Sequence, residues 1–160
     1  MNIMNTKEKV QLAKGMDKVK RMQYQEALEL FEKVISANDQ IPEAWNNKGV
    51  VLFRLGRIDE SLECYNRSLA IDPCNMEATR NKGLLLSYSG RLEEALDCYD
   101  TVLKNGGDAL DLEARAAVLM GLGKRQEALD CLIEAVKMMP LERFEQEIEM
   151  LQNIIRQDEK

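Results

Sequence analysis

The sequence predicts an all-α solenoid of four helix–turn–helix hairpins followed by one further C-terminal helix. The chain matches itself when it is shifted by 34 residues, and small and bulky side chains return at fixed places in each copy. Between these places, apolar residues recur mostly three or four positions apart, which is typical of one face of an α-helix. A single short hairpin cannot cover its own apolar face, so the copies are expected to stack.

The repeats are placed at residues 8–41, 42–75, 76–108 and 109–142, and the last helix at 143–157. Together they make a single predicted domain over residues 1–160. Aromatic residues are only 5% of the chain and there are three prolines, so the apolar content is mostly helix-compatible Leu, Ala, Ile, Val and Met.

Two positions of each repeat predict close helix packing within a hairpin. The eighth position is always very small, and its residues are Gly15, Gly49, Gly83 and Ala116. The twenty-fourth is large, and its residues are Phe31, Tyr65, Tyr99 and Leu132. We expect the small residue to let the two helices approach and the large one to fill the space between them.

Turn residues separate the helices. The fifteenth position is Met22, Gly56, Gly90 and Gly123. Glycine there can adopt a positive φ and end the first helix. Near the end of each repeat, Asp39, Pro73, Gly107 and Pro140 are expected to stop the second helix.

The most regular copy resembles a tetratricopeptide repeat. Its matching residues are Trp45, Gly49, Ser61, Tyr65 and Pro73. The resemblance covers four tandem copies, although repeat one lacks the turn glycine and Thr79 and Leu112 replace the tryptophan in repeats three and four. It implies a right-handed α-solenoid in which the C-terminal helix, with Phe144 and Leu151 on its apolar face, acts as a capping helix.

The resemblance also implies where a partner would bind. In such arrays the first helix of each hairpin lines a concave groove, and its second, fifth, ninth, twelfth and thirteenth positions point into it. The partner-binding residues implied here are Lys9, Leu12, Met16, Val19, Lys20, Asn46, Val50, Phe53, Arg54, Arg80, Leu84, Ser87, Tyr88, Glu113, Ala117 and Met120. They form an apolar stripe flanked by charges, which suits an apolar or amphipathic segment of a partner. The alternative is that some are half-buried between neighbouring first helices or are covered by the chain's own terminus.

One subclass of the family holds a partner's terminal carboxylate with Lys and Asn side chains. The corresponding positions here are Leu12 and Met16, so such a clamp is not predicted.

The seventh position carries a cation in every repeat, and its residues are Lys14, Lys48, Lys82 and Arg115. Acidic residues recur at the nineteenth and twenty-second positions on the second helices. The favoured interpretation is that each alkyl stem packs between hairpins while its charged group meets a carboxylate. The alternative is a basic ladder for an acidic partner.

Composition excludes several classes of function. The net charge of −6 does not favour nucleic-acid binding, and the absence of histidine removes the commonest general base and metal ligand. No phosphate-binding loop and no pair of closely spaced cysteines occurs, so we expect no enzyme activity, no cofactor, no metal and free thiols. Without a signal-peptide core or a membrane-length apolar run, the expected location is cytoplasmic.

The leading hypothesis is a protein–protein interaction scaffold that binds a partner peptide or helix in the concave groove. The alternative is a self-assembling structural protein that forms homo-oligomers through its capping helix and end repeats. Met150 and Ile154 broaden the apolar face of that helix, and residues 7–21 carry a net charge of 6 − 2 = +4 whereas residues 142–160 carry 3 − 6 = −3. One interpretation of this charge difference is head-to-tail electrostatic docking between copies. The other is that both charged segments are solvated faces without a partner.

Overall fold

In the computed structural model, residues 4–158 are described, and they form nine α-helices and no strand. The helices are α1 (Thr6–Lys20), α2 (Tyr24–Ala37), α3 (Pro42–Arg54), α4 (Ile58–Ile71), α5 (Met76–Tyr88), α6 (Leu92–Lys104), α7 (Ala109–Gly121), α8 (Arg125–Met138) and α9 (Glu142–Asp158). The predicted all-α fold class of helical hairpins is confirmed. None of the helices among these residues is long and apolar enough to cross a membrane.

The chain divides into two compact units, and the boundary falls within α5, between Leu85 and Leu86. In the first unit, α1 packs on α2, α2 on α3, and α3 on α4, while α1 also touches α3. In the second unit, α6 packs on α7, α7 on α8, and α8 on α9. Each unit thus contains hairpins that pack successively on their neighbours in the chain.

The small residue at the eighth position is required for close helix packing. A Cβ atom added to Gly49 would lie 2.6 Å from Cε1 of Tyr65, and one added to Gly15 would overlap the Phe31 ring. Ser61, on the second helix of the same hairpin, donates a buried hydrogen bond of 2.7 Å from Oγ to the Gly49 carbonyl oxygen. The predicted close approach of paired helices is therefore present in both hairpins of the first unit.

The turns within the hairpins share one backbone conformation. Gly56, Gly90 and Gly123 have φ angles of 75°, 74° and 73°, and Met22 has the same left-handed conformation with φ of 60°. In each turn this residue donates a backbone hydrogen bond to the carbonyl three residues earlier, and the next residue donates to the carbonyl five residues earlier. These are the two bonds of the Schellman motif, which satisfies the last carbonyls of the first helix. Repeat one therefore keeps the turn without the glycine.

Each unit has its own apolar core. In the first, Phe31, Val34 and Leu52 are fully buried. In the second, Phe144 and Leu151 of α9 are buried against the residues of α7 and α8, with exposures of 0% and 3%. The predicted apolar face of α9 thus covers the last hairpin, which would otherwise expose its core to water.

Candidate partner-binding surface

The first helices of the first unit leave apolar side chains in solvent. Met16 on α1 is 45% exposed and Leu84 on α5 is 52% exposed. Val50 on α3 is half-buried, as are Val19 and Phe53. Met16, Val50 and Leu84 occupy the ninth position in successive repeats, so equivalent points on these first helices carry accessible apolar surface.

Two of the residues expected in the groove have little surface to offer a partner. Leu12 is only 8% exposed and belongs to the core of the first unit. Asn46 is 2% exposed, and its Oδ1 accepts a hydrogen bond of 3.0 Å from Nδ2 of Asn81. Asn46 thus joins the neighbouring first helices α3 and α5, and Leu12 is part of the core, so the half-buried alternative describes these two residues.

The same first helices also carry charged side chains of both signs. Lys9 and Lys20 on α1 and Arg54 on α3 are exposed, and Arg80 on α5 is half-buried. Glu43 on α3 and Glu77 on α5 are exposed at the repeat position of Lys9.

The remaining predicted residues lie in the second unit. Tyr88 is 74% exposed and Ser87 is half-buried at the end of α5. Glu113, Ala117 and Met120 all lie on α7, where they line a single cleft.

This cleft lies between α7 and α9 and has a volume of about 520 Å³. Its lining residues are Leu110, Glu113, Ala114, Ala116, Ala117, Met120, Leu132, Glu147, Met150, Leu151 and Ile154. Nine of these eleven are apolar, and Leu110 and Met150 are 47% and 65% exposed. Met150 and Ile154 were expected to broaden the apolar face of the capping helix toward a second copy, and they were not among the residues expected in the groove.

Two carboxylates are the only charged groups in the cleft lining. Glu113 accepts a hydrogen bond of 2.7 Å from Nη2 of Arg143, which approaches from the start of α9. Partial burial raises the pKa of Glu147, and the neighbouring negative charge of Glu113 raises it further. The cleft is therefore apolar with a negative border.

Two of the four cations at the seventh position form ion pairs, but with partners other than those expected. Lys48 on α3 lies 3.1 Å from Glu32 on α2, and Arg115 on α7 lies 2.6 Å from Asp100 on α6. Both carboxylates are at the twenty-fifth position of the preceding repeat, because the second helix of one hairpin packs on the first helix of the next. The favoured structural interpretation thus holds at two of the four cations.

The acidic residues at the nineteenth position pair within their own hairpin instead. Arg57 makes a two-pronged contact with Glu60, with distances of 2.7 and 2.6 Å, and Arg91 and Glu94 repeat it. The cation comes from the turn just before the second helix, which brings the two side chains within one helical turn. These ion pairs lie in the first turn of the second helix. The cations at the seventh position therefore pair with other carboxylates.

None of the four cysteines forms a disulfide. Cys64, Cys98 and Cys131 are buried, and Cys74 is exposed. Burial raises the pKa of Cys64 to about 11, so its thiol stays protonated at neutral pH. Over residues 4–158, no cluster of His, Cys, Asp and Glu side chains is arranged to hold a metal ion.

Comparisons with known proteins agree with the hairpin architecture. Residues 42–73 match the family model described as tetratricopeptide repeat. A structure of MamA from Desulfovibrio magneticus RS-1 superposes with a TM-score of 0.85 at 20% identity, covering 98% of this chain and 88% of that one. A structure of MamA AMB-1 gives 0.78 at 22% identity, covering 95% and 84%.

A third solved structure is YrrB, described as a TPR protein with an unusual peptide-binding site. It superposes with a TM-score of 0.75 at 24% identity, covering 85% of this chain and 71% of that one. No curated protein matches the sequence. At these identities the structural similarity establishes the fold.

Proposed function

Because the chain is a tetratricopeptide-repeat protein, we propose that it is a non-catalytic scaffold that binds a peptide or helix of a partner protein on the first helices of its hairpins. The observation that carries this proposal is the exposure of Met16 and Leu84 at the ninth position of their repeats. Apolar side chains that recur at one register of a repeat and remain in water mark a surface that a partner can cover.

The chemistry of the first unit favours an apolar segment with acidic neighbours. Met16, Val50 and Leu84 supply apolar contacts, while Lys20 and Arg54 supply exposed cations. An apolar side chain of the partner would displace water from these apolar side chains, and carboxylates of the partner would pair with these cations. The description of YrrB as having a peptide-binding site supports a peptide as the class of partner.

The test is the double variant Val50→Glu/Leu84→Glu in affinity capture from native lysate. Both side chains have accessible surface, so the folded state tolerates the change, which circular dichroism and thermal melting would verify. We expect the amount of each specifically captured protein to fall at least about ten-fold with the double variant.

A matched control is Ala70→Glu/Met138→Glu, which adds the same charge at exposed positions on the second helices α4 and α8. We expect this control to capture partners as the unmodified chain does. Recovery of the same partners by the folded Val50→Glu/Leu84→Glu variant would exclude the first-helix face as the binding surface.

A second candidate is self-assembly through the capping helix and the end repeats. It is supported by the 65% exposure of Met150 on α9 and by the opposite charges of residues 7–21 and 142–160. Sedimentation velocity over a concentration series distinguishes the two candidates. Self-assembly predicts a sedimentation coefficient that rises with concentration and falls with added salt, whereas a strict monomer would exclude it.

The proposal places the protein in the cytoplasm. Four cysteines, none of them in a disulfide, suit a reducing compartment, where disulfides do not persist.

A further inference from the structure

The cleft between α7 and α9 has the length and shape of a helix-binding site. Its lining residues on α7 run from Leu110 to Met120, which is ~15 Å at the rise of an α-helix. Those on α9 run from Glu147 to Ile154. On both helices the lining residues recur at steps of three or four, so two apolar rows border one depression.

The lining combines small and large side chains. Ala114 and Ala117 contribute only methyl groups, whereas Met120, Met150 and Ile154 are large. A depression lined by both small and large residues admits the side chains of an incoming helix. The volume of about 520 Å³ leaves room for several of them.

The polar groups of the lining select against an extended chain. The only polar side chains in the lining are those of Glu113 and Glu147, which as carboxylates accept hydrogen bonds and donate none. An extended peptide would bring backbone carbonyl groups into this apolar cleft without donors to satisfy them, at a cost in free energy for each. An α-helix satisfies its backbone internally, so only its side chains need to match.

The same carboxylates indicate the charge of the occupant. Glu113 is already bonded to Arg143 at 2.7 Å, whereas Glu147 forms no salt bridge with any of residues 4–158, and its pKa is raised by partial burial and by the charge of Glu113 more than the charge of Arg143 lowers it. A lysine or arginine from a partner would neutralise Glu147 where solvent screens the charge less than in open water. An acidic residue at that place would be repelled.

We propose that the cleft between α7 and α9 binds an amphipathic helix of a partner protein, with an apolar face that enters the cleft and a lysine or arginine at its edge that meets Glu147. The inference rests on the proposed scaffold function, because α7 is the first helix of the last hairpin, and it specifies the chemistry of the partner that the second unit would bind.

The experiment is selection of a randomised library of 16-residue peptides against the full-length chain. We expect the selected peptides to carry apolar residues at steps of three and four with Lys or Arg beside them, and to become helical on binding. No enrichment, or enrichment of acidic or non-periodic sequences, would overturn the inference.

The selected peptides are then measured by fluorescence anisotropy against folded variants. Met150→Glu should weaken binding at least about ten-fold, because Met150 is 65% exposed on the cleft wall. Met138→Glu is the matched control at a 53% exposed methionine outside the cleft and should have no effect. Glu147→Lys should weaken the binding of the basic peptides and strengthen the binding of versions in which Lys is replaced by Glu.

These variants separate the cleft from the first-helix surface of the first unit. Peptides that bind Met150→Glu and Glu147→Lys as tightly as the unmodified chain, but fail to bind Val50→Glu/Leu84→Glu, would overturn the cleft inference and leave the scaffold proposal intact. Peptide binding that depends on the cleft, together with unaltered lysate capture by Val50→Glu/Leu84→Glu, would support the cleft inference and exclude the first-helix surface of the first unit. Sedimentation of the unmodified chain as a dimer that Met150→Glu makes monomeric would replace the partner helix by a second copy.

Discussion

Replacing Met22 with glycine is expected to stabilise the protein. Met22 has φ of 60°, whereas the residue at the same turn in the other repeats is a glycine with φ of 73–75°. Its side chain is 72% exposed, so little packing would be lost on removing it. The substitution keeps the turn and removes the steric conflict between the Cβ atom and the backbone.

The expected gain is the difference between two backbone effects. A left-handed conformation costs an L-residue with a Cβ atom about 1–2 kcal/mol. The glycine itself costs about 0.5–1 kcal/mol, because a glycine residue has more backbone freedom in the unfolded chain and loses it on folding. The net increase in unfolding free energy is therefore about 0.5–1 kcal/mol, or roughly 1–4 °C in melting temperature for a chain of this size.

The measurement is urea denaturation followed by far-UV circular dichroism, with thermal melting as a second observable. Gly56→Met, the reverse change at φ of 75°, should lower the free energy of unfolding by a similar amount. Met16→Gly, at an exposed position inside α1, should lower it by about 1 kcal/mol, since glycine weakens a helix interior. A destabilised Met22→Gly protein, or a Gly56→Met protein of unchanged stability, would refute the reasoning.

The other predictions concern packing, thiol reactivity and a cleft carboxylate. Gly49→Ala should cost about 1–3 kcal/mol because its Cβ would lie 2.6 Å from the Tyr65 ring, and adding Tyr65→Leu should recover part of that loss in denaturation experiments. In thiol titration at pH 8, one fast-reacting group is expected, Cys74, because the others are buried. Since burial raises the pKa of Cys64 to about 11, the urea midpoint should fall as pH rises from 9 towards 11, and less so in Cys64→Ala. Glu147→Gln should raise the melting temperature slightly at pH 7, where the ionised carboxylate is disfavoured, and have no effect in acid, where it is protonated.

Three of these predictions have a clear contradictory result. Repeat four already combines Ala116 with Leu132, so purely additive losses for Gly49→Ala and Tyr65→Leu would mean that the two side chains do not compete for space. A fast thiol phase that survives Cys74→Ser would show that a buried cysteine opens readily. A lower melting temperature for Glu147→Gln at pH 7 would mean that the ionised group stabilises the cleft.

Much of the fold could be predicted from the sequence because its determinants are local or recur at a fixed interval. Gly49 and Tyr65 predicted a close helix crossing, and the structure places them against each other. Gly56 predicted the left-handed turn. The apolar face of α9 predicted the burial of Phe144 and Leu151, because the period of the pattern identifies the buried side of a helix.

Details that depend on contacts between elements could not be predicted in the same way. The alignment identified Met22 as the turn residue, but side-chain type alone gave no indication that methionine adopts the glycine conformation. The register of adjacent helices determines that Asn46 meets Asn81 and is removed from the surface. The direction in which α9 leaves the last hairpin creates the apolar cleft against α7, and no periodic pattern encodes that direction.

The most direct test of the scaffold proposal is site-specific photocross-linking in native lysate. A photoreactive amino acid replaces Leu84 on the first-helix face in one protein and Ala70, exposed on α4, in another. We predict discrete adducts from position 84 that excess unlabelled chain competes away, and none from position 70. Adducts from position 70 with none from position 84 would contradict the proposal.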